Sequence, residues 1–162
     1  MPSAFESLRD HELTMSVLMT PDTANFAGNV HGGTILKLLD QVAYACASRY
    51  AGSYVVTVSV DQVTFRQPVN VGELVHFLAS VNHTGTSSME IGIKVVAEDI
   101  CARSVRHVNS CYFTMVALGD DGRPRAVPPL VLESGDQRRR HAEAEARRTA
   151  RRELERRGDV HE

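Results

Sequence analysis

The residue types that could do chemistry in this chain crowd into one stretch: Asn25, His31, Gly32, Gly33 and Asp40. Residues 23–33 hold three glycines and two asparagines, which supply backbone angles that bulky residues cannot reach. A helix is expected directly after them. The first turn of any helix leaves N–H groups without intrahelical partners and carries the positive end of the macrodipole, a donor set suited to a developing oxyanion. Glycine there lets a carbonyl approach the backbone closely. Asp40 falls about two turns into the helix, where a carboxylate can accept a proton from water or simply lie on a solvated polar stripe. Asn25 can donate its amide and accept through its carbonyl, so it orients rather than takes protons; on its residue type alone it is equally a turn or cap residue. His31 reads as a loop or supporting histidine rather than a base.

Other chemistries find little footing. The seven histidines show neither HxxxH nor HxH spacing and form no cluster with cysteine, so no metal is expected. Neither a phosphate-binding GxxxxGK nor a GxSxG nucleophile elbow occurs. Cys46, Cys101 and Cys111 make an odd set without CxxC; two lie in apolar segments as small hydrophobes, and reduced thiols in a cytoplasm are expected. No apolar run approaches the ~20 residues needed to span a bilayer, and residues 1–10 mix Glu6, Arg9 and Asp10 without a hydrophobic signal core.

These residues need a scaffold. With 162 residues, 43% hydrophobic and 23% charged, the chain should build a single core, which excludes disordered and collagenous classes. Residues 13–19 alternate as a strand with one face on a core, and Pro21 stops it. Residues 34–50 predict a helix that is apolar around most of its circumference and must therefore be wrapped. Residues 55–65 read as a strand with a phase slip, predicting a bulge near Asp61-Gln62. Val75, Phe77, Ala79 and Val81 alternate cleanly, Thr84-Gly85-Thr86 turns into Met89, Ile91, Ile93 and Val95, and a last strand runs over 103–118. The simplest assembly is α+β: a five-stranded antiparallel sheet curled around one long central helix.

The composition changes after Pro124, Pro128 and Pro129. Residues 136–157 carry nine arginines against five acids, +4 of a total of −2, leaving −6 for the rest. The expected division is a domain over 10–119, a Pro-containing linker over 120–135, and an Arg-rich helix over 136–162 that is solvated or supported by an oligomer.

The stretch Asn25-Phe26-Ala27-Gly28-Asn29-Val30-His31-Gly32-Gly33-Thr34-Ile35-Leu36-Lys37-Leu38-Leu39-Asp40 resembles the signature of the hotdog-fold acyl-CoA thioesterases, the cytosolic acyl-CoA hydrolase group. The resemblance continues through Val58-Ser59-Val60-Asp61, Phe65-Arg66-Gln67-Pro68-Val69, Val71-Gly72-Glu73 and Ser87-Ser88-Met89-Glu90-Ile91, covering about residues 13–118. The Arg-rich tail is not covered with comparable specificity.

That resemblance implies a hotdog subunit that pairs with a second into a continuous sheet, with the substrate channel at the interface, and a trimer of such dimers. It implies hydrolysis of a fatty acyl-CoA to free fatty acid and CoA, with no cofactor because CoA is part of the substrate. By position it assigns catalytic roles to Asn25, Asp40 and Gly33, with Asp40 activating water or attacking directly, and places Gly32 and His31 at the substrate. Arg66, Ser87 and Ser88 are the candidates for the CoA phosphates, which need cationic or hydroxyl donors. A dehydratase or hydratase on the same fold would instead use His31 with Asp40. A non-enzymatic acyl-CoA sensor or nucleic-acid binder would use the tail arginines, but five interspersed acids and the lack of aromatics argue for a solvated helix and no nucleic acid.

Overall fold

Segments with apolar residues at every second position form the strands of one sheet in the computed structural model, which describes residues 10–158; the readings of residues 1–9 and 159–162 lie outside it. The strands are β1 (Glu12–Leu18), β2 (Tyr54–Val60), β3 (Leu74–Thr84), β4 (Ser88–Asp99) and β5 (Ser104–Leu118). They lie in the order β1-β3-β4-β5-β2, and every neighbouring pair is antiparallel. Two helices, α1 (Gly32–Ala51) and α2 (Gly135–Gly158), complete an α+β fold. The sheet curls around α1, and α2 lies on its other face.

The core is the seam between α1 and the sheet. Ile35, Leu39, Val42, Ala43, Cys46 and Ala47 recur at helical spacing and are buried. They meet Phe77, Ile91, Ile93, Phe113 and Met115 from the strands. Burying the three large aliphatics among them contributes on the order of 5–9 kcal/mol, more than helix propensity supplies. The helix ends at Gly52, whose φ of 65° is the left-handed conformation that glycine tolerates. Tyr44 is exposed on the polar stripe, as its place in the sequence implies, but Leu36, which reads as part of the apolar face, is 42% exposed too. With Asp40 between them at i, i+4 spacing, they form an open stripe.

Two expectations need correction. The second strand stops at Val60 rather than near residue 65, and its register shift falls between Thr57 and Ser59, so Val58 is the bulged residue. The slip is thus absorbed earlier, and residues 61–68 follow β5 only through scattered bonds, Asp61 N–H to the Tyr112 carbonyl at 3.0 Å and Arg66 N–H to the Val108 carbonyl at 3.3 Å. The Arg-rich helix is also docked rather than merely solvated. Ala144 is buried, Arg147 stacks 3.6 Å over the Tyr112 ring and donates to Glu90 at 2.6 Å, and Arg151 donates to Asp61 at 2.9 Å. Its start carries a capping box, with the Ser134 hydroxyl accepting from Gln137 N–H while Gln137 Oε1 accepts from the Ser134 N–H.

Candidate active site

The loop before α1 is held from within by Asn25. Its Oδ1 accepts from the N–H groups of Ala27 (2.9 Å) and Asn29 (3.1 Å). The carbonyl oxygen is therefore used by the loop, which leaves Nδ2 as the group that can donate outward. The loop rests on the segment that follows residue 66: Val30 N–H donates to the Val69 carbonyl at 2.8 Å, and Asn29 bridges to Asn70. That segment is pinned in turn by Glu73, buried at 5% exposure, which accepts from Asn70 and from both guanidinium arms of Arg106 (2.5 and 2.8 Å). The Arg106 hydrogen bond holds the Glu73 carboxyl below its ordinary range, against a smaller opposing effect of burial.

His31 is the N-cap of α1. Its Nδ1 accepts from Gly33 N–H at 3.1 Å, so the neutral ring carries its proton on Nε2. The helix therefore begins at Gly32, two residues earlier than its apolar periodicity indicates, and the Gly33 amide is already engaged by the cap. The Gly32 N–H has no hydrogen-bond partner among the described residues. Neither glycine has a left-handed φ. A Cβ on Gly32 would meet Phe65 at 3.8 Å and one on Gly33 would meet His31 Nδ1 at 3.3 Å, so the backbone does not demand glycine strongly at either place.

Asp40 is exposed on α1, and its Oδ1 accepts from the Thr57 hydroxyl at 2.7 Å. Reasoning from sequence missed Thr57. Its signal is a hydroxyl in an otherwise valine-rich strand, but only the bulge and the packing of β2 against α1 aim it at the carboxylate. Around this pair Leu36, Tyr44, Tyr54, Val58 and Val60 are exposed, and β2 is an edge strand. Asp40 stands about 12 Å along the axis from Gly32, at about 1.5 Å per residue, and its hydrogen bond goes to Thr57 while that of Asn25 stays within its loop. Within one chain the helix start and the carboxylate therefore stand apart.

The remaining sites scatter. Arg66 is exposed on the segment after β2. Ser87 and Ser88 lie at the β3–β4 turn; Ser88 shares a phase with Glu90, on the sheet face opposite α1, and lines a cavity of about 260 Å³ with Arg148, Arg151 and Arg152. A second cavity of about 500 Å³ under α2 is lined by Lys94, Tyr112, Arg139 and Arg140 among others; neither cavity includes Asn25 or Asp40. Cys46 and Cys111 are buried as expected, and burial pushes both thiols up to about 12. One group among the described residues has the donors for a metal ion: His83, His141 and Glu145. No described helix is long and apolar enough to cross a membrane.

A curled antiparallel sheet around a single helix, with a glycine-rich loop at the helix start and a carboxylate further along, is the arrangement of hotdog-fold thioesterases, and residues 27–101 match the thioesterase superfamily. The chain is 49% identical over 140 residues to protein VdlD of Helicobacter pylori, covering 86% of this chain and 80% of that one. It is 36% identical to an uncharacterised acyl-CoA thioester hydrolase of Zymomonas mobilis, covering 74% and 80%. An apo-hexameric acyl-CoA thioesterase superposes with a TM-score of 0.85 at 29% identity, covering 88% and 92%. The acyl-CoA hydrolase of Staphylococcus aureus, solved with butyryl-CoA, CoA and CoA disulfide, superposes with a TM-score of 0.82 at 29% identity, covering 93% of each chain. Alanine variants of that enzyme have been solved at an asparagine, an aspartate and a threonine spaced as Asn25, Asp40 and Thr57 are here. The chain belongs to the thioesterase superfamily, among its hotdog-fold acyl-CoA thioester hydrolases.

Proposed function

We propose that this chain hydrolyses fatty acyl-CoA to free fatty acid and CoA at a site assembled from two subunits. Asp40 of one subunit takes a proton from water, whose oxygen attacks the thioester carbon. The oxyanion that develops is held by the Gly32 amide and the positive end of α1 of the other subunit, with the Asn25 amide nitrogen orienting water or carbonyl. The C–S bond then breaks, and the CoA sulfur leaves with the proton that water gave up.

The observation that carries this reading is the exposed Asp40–Thr57 pair, set beside the apolar residues of an unpaired strand edge and about 12 Å from the helix start of its own chain. A carboxylate among exposed Leu36, Tyr44, Tyr54 and Val58 gains a closed, low-dielectric setting when a second subunit covers that edge. The hexameric state named for a structural relative supports assembly beyond one chain, and a trimer of dimers is the arrangement we favour. Arg66, Ser87 and Ser88 remain the proposed contacts for the CoA phosphates. Ser88 does not lie on the Asp40 face of its own chain, so its contact would come from CoA reaching around the sheet or from another subunit. The hydratase alternative has less support, because His31 Nδ1 is occupied as a helix cap.

The test is release of free CoA from saturated acyl-CoAs of C2 to C18 by wild type and Asp40→Ala side by side. Release that collapses in a folded variant supports the proposal, and the panel reads out chain preference. Undiminished release by the variant would remove Asp40 from the mechanism.

A further inference from the structure

His83 lies near the end of β3, where a register shift between Val81 and His83 turns it to the same sheet face as its cross-strand neighbour Glu90. It is 8% exposed. Above it, α2 carries His141 and Glu145 at i, i+4 spacing, so both project from one face of the helix. The two imidazoles stack with centroids 4.9 Å apart, and His83 Nε2 is 3.8 Å from Glu145 Oε1. One ligand atom from each of the three residues lies within 4.8 Å of the others. Neither imidazole makes a hydrogen bond among the described residues.

We propose that His83, His141 and Glu145 bind a divalent transition-metal ion of the zinc type, fastening α2 to the outer face of the sheet. Two imidazoles and a carboxylate are a donor set zinc takes readily, with water in the fourth position. Zinc–ligand distances of about 2.0–2.2 Å require neighbouring ligand atoms to lie within about 3.5 Å, so the cluster must contract and the rings unstack. His141 and Glu145 are partly exposed and exposed on their helix, so their side-chain torsions can supply that movement without shifting the backbone. The charges facing the cluster are mixed: Arg148 opposes a cation, while Glu145 and Glu90 favour it. Local sequence spacing cannot show such a site, because β3 and α2 meet only in the folded chain. The site stands apart from Asp40 and does not depend on the proposed hydrolysis.

The test uses the tag-free, full-length protein stripped of metal, titrated with Zn²⁺ against a chromophoric chelator and followed by thermal melting and by the visible absorption of a Co²⁺ substitute. The expected result is one ion per chain, a tetrahedral Co²⁺ spectrum and a higher melting temperature with metal. His141→Ala and Glu145→Gln, each checked for folding by circular dichroism, should weaken binding at least tenfold and abolish the melting shift while CoA release is unchanged. His107→Ala should bind as wild type does. Binding that is absent at 100 µM Zn²⁺, or that is equal in wild type and both cluster variants, would overturn the proposal.

Discussion

The Thr57 hydroxyl donates to Asp40 Oδ1 across 2.7 Å, so a side chain from β2 sets the direction of a carboxylate on α1. The bond occupies one carboxylate oxygen and leaves the other without a hydrogen bond among the described residues. Asp40→Asn should lose about 10²–10⁴-fold in turnover, the usual contribution of a general base, with its fold retained. Thr57→Val should lose about 10–10²-fold, the value of one hydrogen bond to a charged group, chiefly in kcat. Steady-state kinetics on both variants measure this; a Thr57→Val enzyme with wild-type kcat would leave the hydroxyl a structural role only.

A site shared between subunits makes a specific prediction about mixtures. Asn25→Ala and Asp40→Ala chains should each be nearly inactive alone. Co-refolded together, they should regain activity, because each mixed dimer holds one site with an intact Asp40 from one chain and an intact Asn25 from the other. No recovery in verified mixed dimers would show that each chain needs both residues for its own site.

Gly33 offers a test of why glycine stands at the helix start. A Cβ there would meet His31 Nδ1 at 3.3 Å, a contact that the exposed ring can relieve by a small rotation. Gly33→Ala should therefore fold with a melting temperature close to wild type. Gly33→Val, bulkier toward the incoming thioester, should block binding or turnover. Melting curves and CoA-release assays on the pair separate the two effects, and unaltered kinetics in Gly33→Val would dismiss a substrate approach at this point.

The Glu73–Arg106 pair should shape the acid limb of stability. The folded carboxyl titrates below its ordinary value of 4.5, so its stabilisation is present above that value and is lost as the pH falls through the lower, folded one. Glu73→Gln should cost about 1.5–3 kcal/mol near neutral pH and should flatten the loss of stability below pH 4.5. Urea melts between pH 3 and 7 check it. Because Glu73 anchors the segment under Asn29 and Val30, the same variant should also raise KM.

Much of the architecture was legible because alternation and helical spacing are local properties. Val75, Phe77, Ala79 and Val81 all face the core, as their period of two requires, and Gly52 ends α1 where glycine should. The slip in residues 55–65 was visible too, but its location was not: either Thr57–Ser59 or Asp61–Gln62 could absorb it, and only pairing with β5 chooses. In the Arg-rich helix, alternating charge reads as solvation when its partners are out of sight. Glu90 and Asp61 lie 57 and 90 residues away from Arg147 and Arg151, and no window of sequence brings them together.

The order of elements, the central helix and the grouping of Asn25, Gly32, Gly33 and Asp40 were determined by the sequence, since each rests on residue type and short-range periodicity. Tertiary structure alone decided which groups meet. It gave Asp40 its Thr57 partner, engaged the Gly33 amide with His31, and placed Asp40 about 12 Å along α1 from the glycines of its own chain. It also carried His83 under His141 and Glu145. Such contacts depend on register, bulges and the docking of distant elements, which long-range packing sets and local sequence cannot.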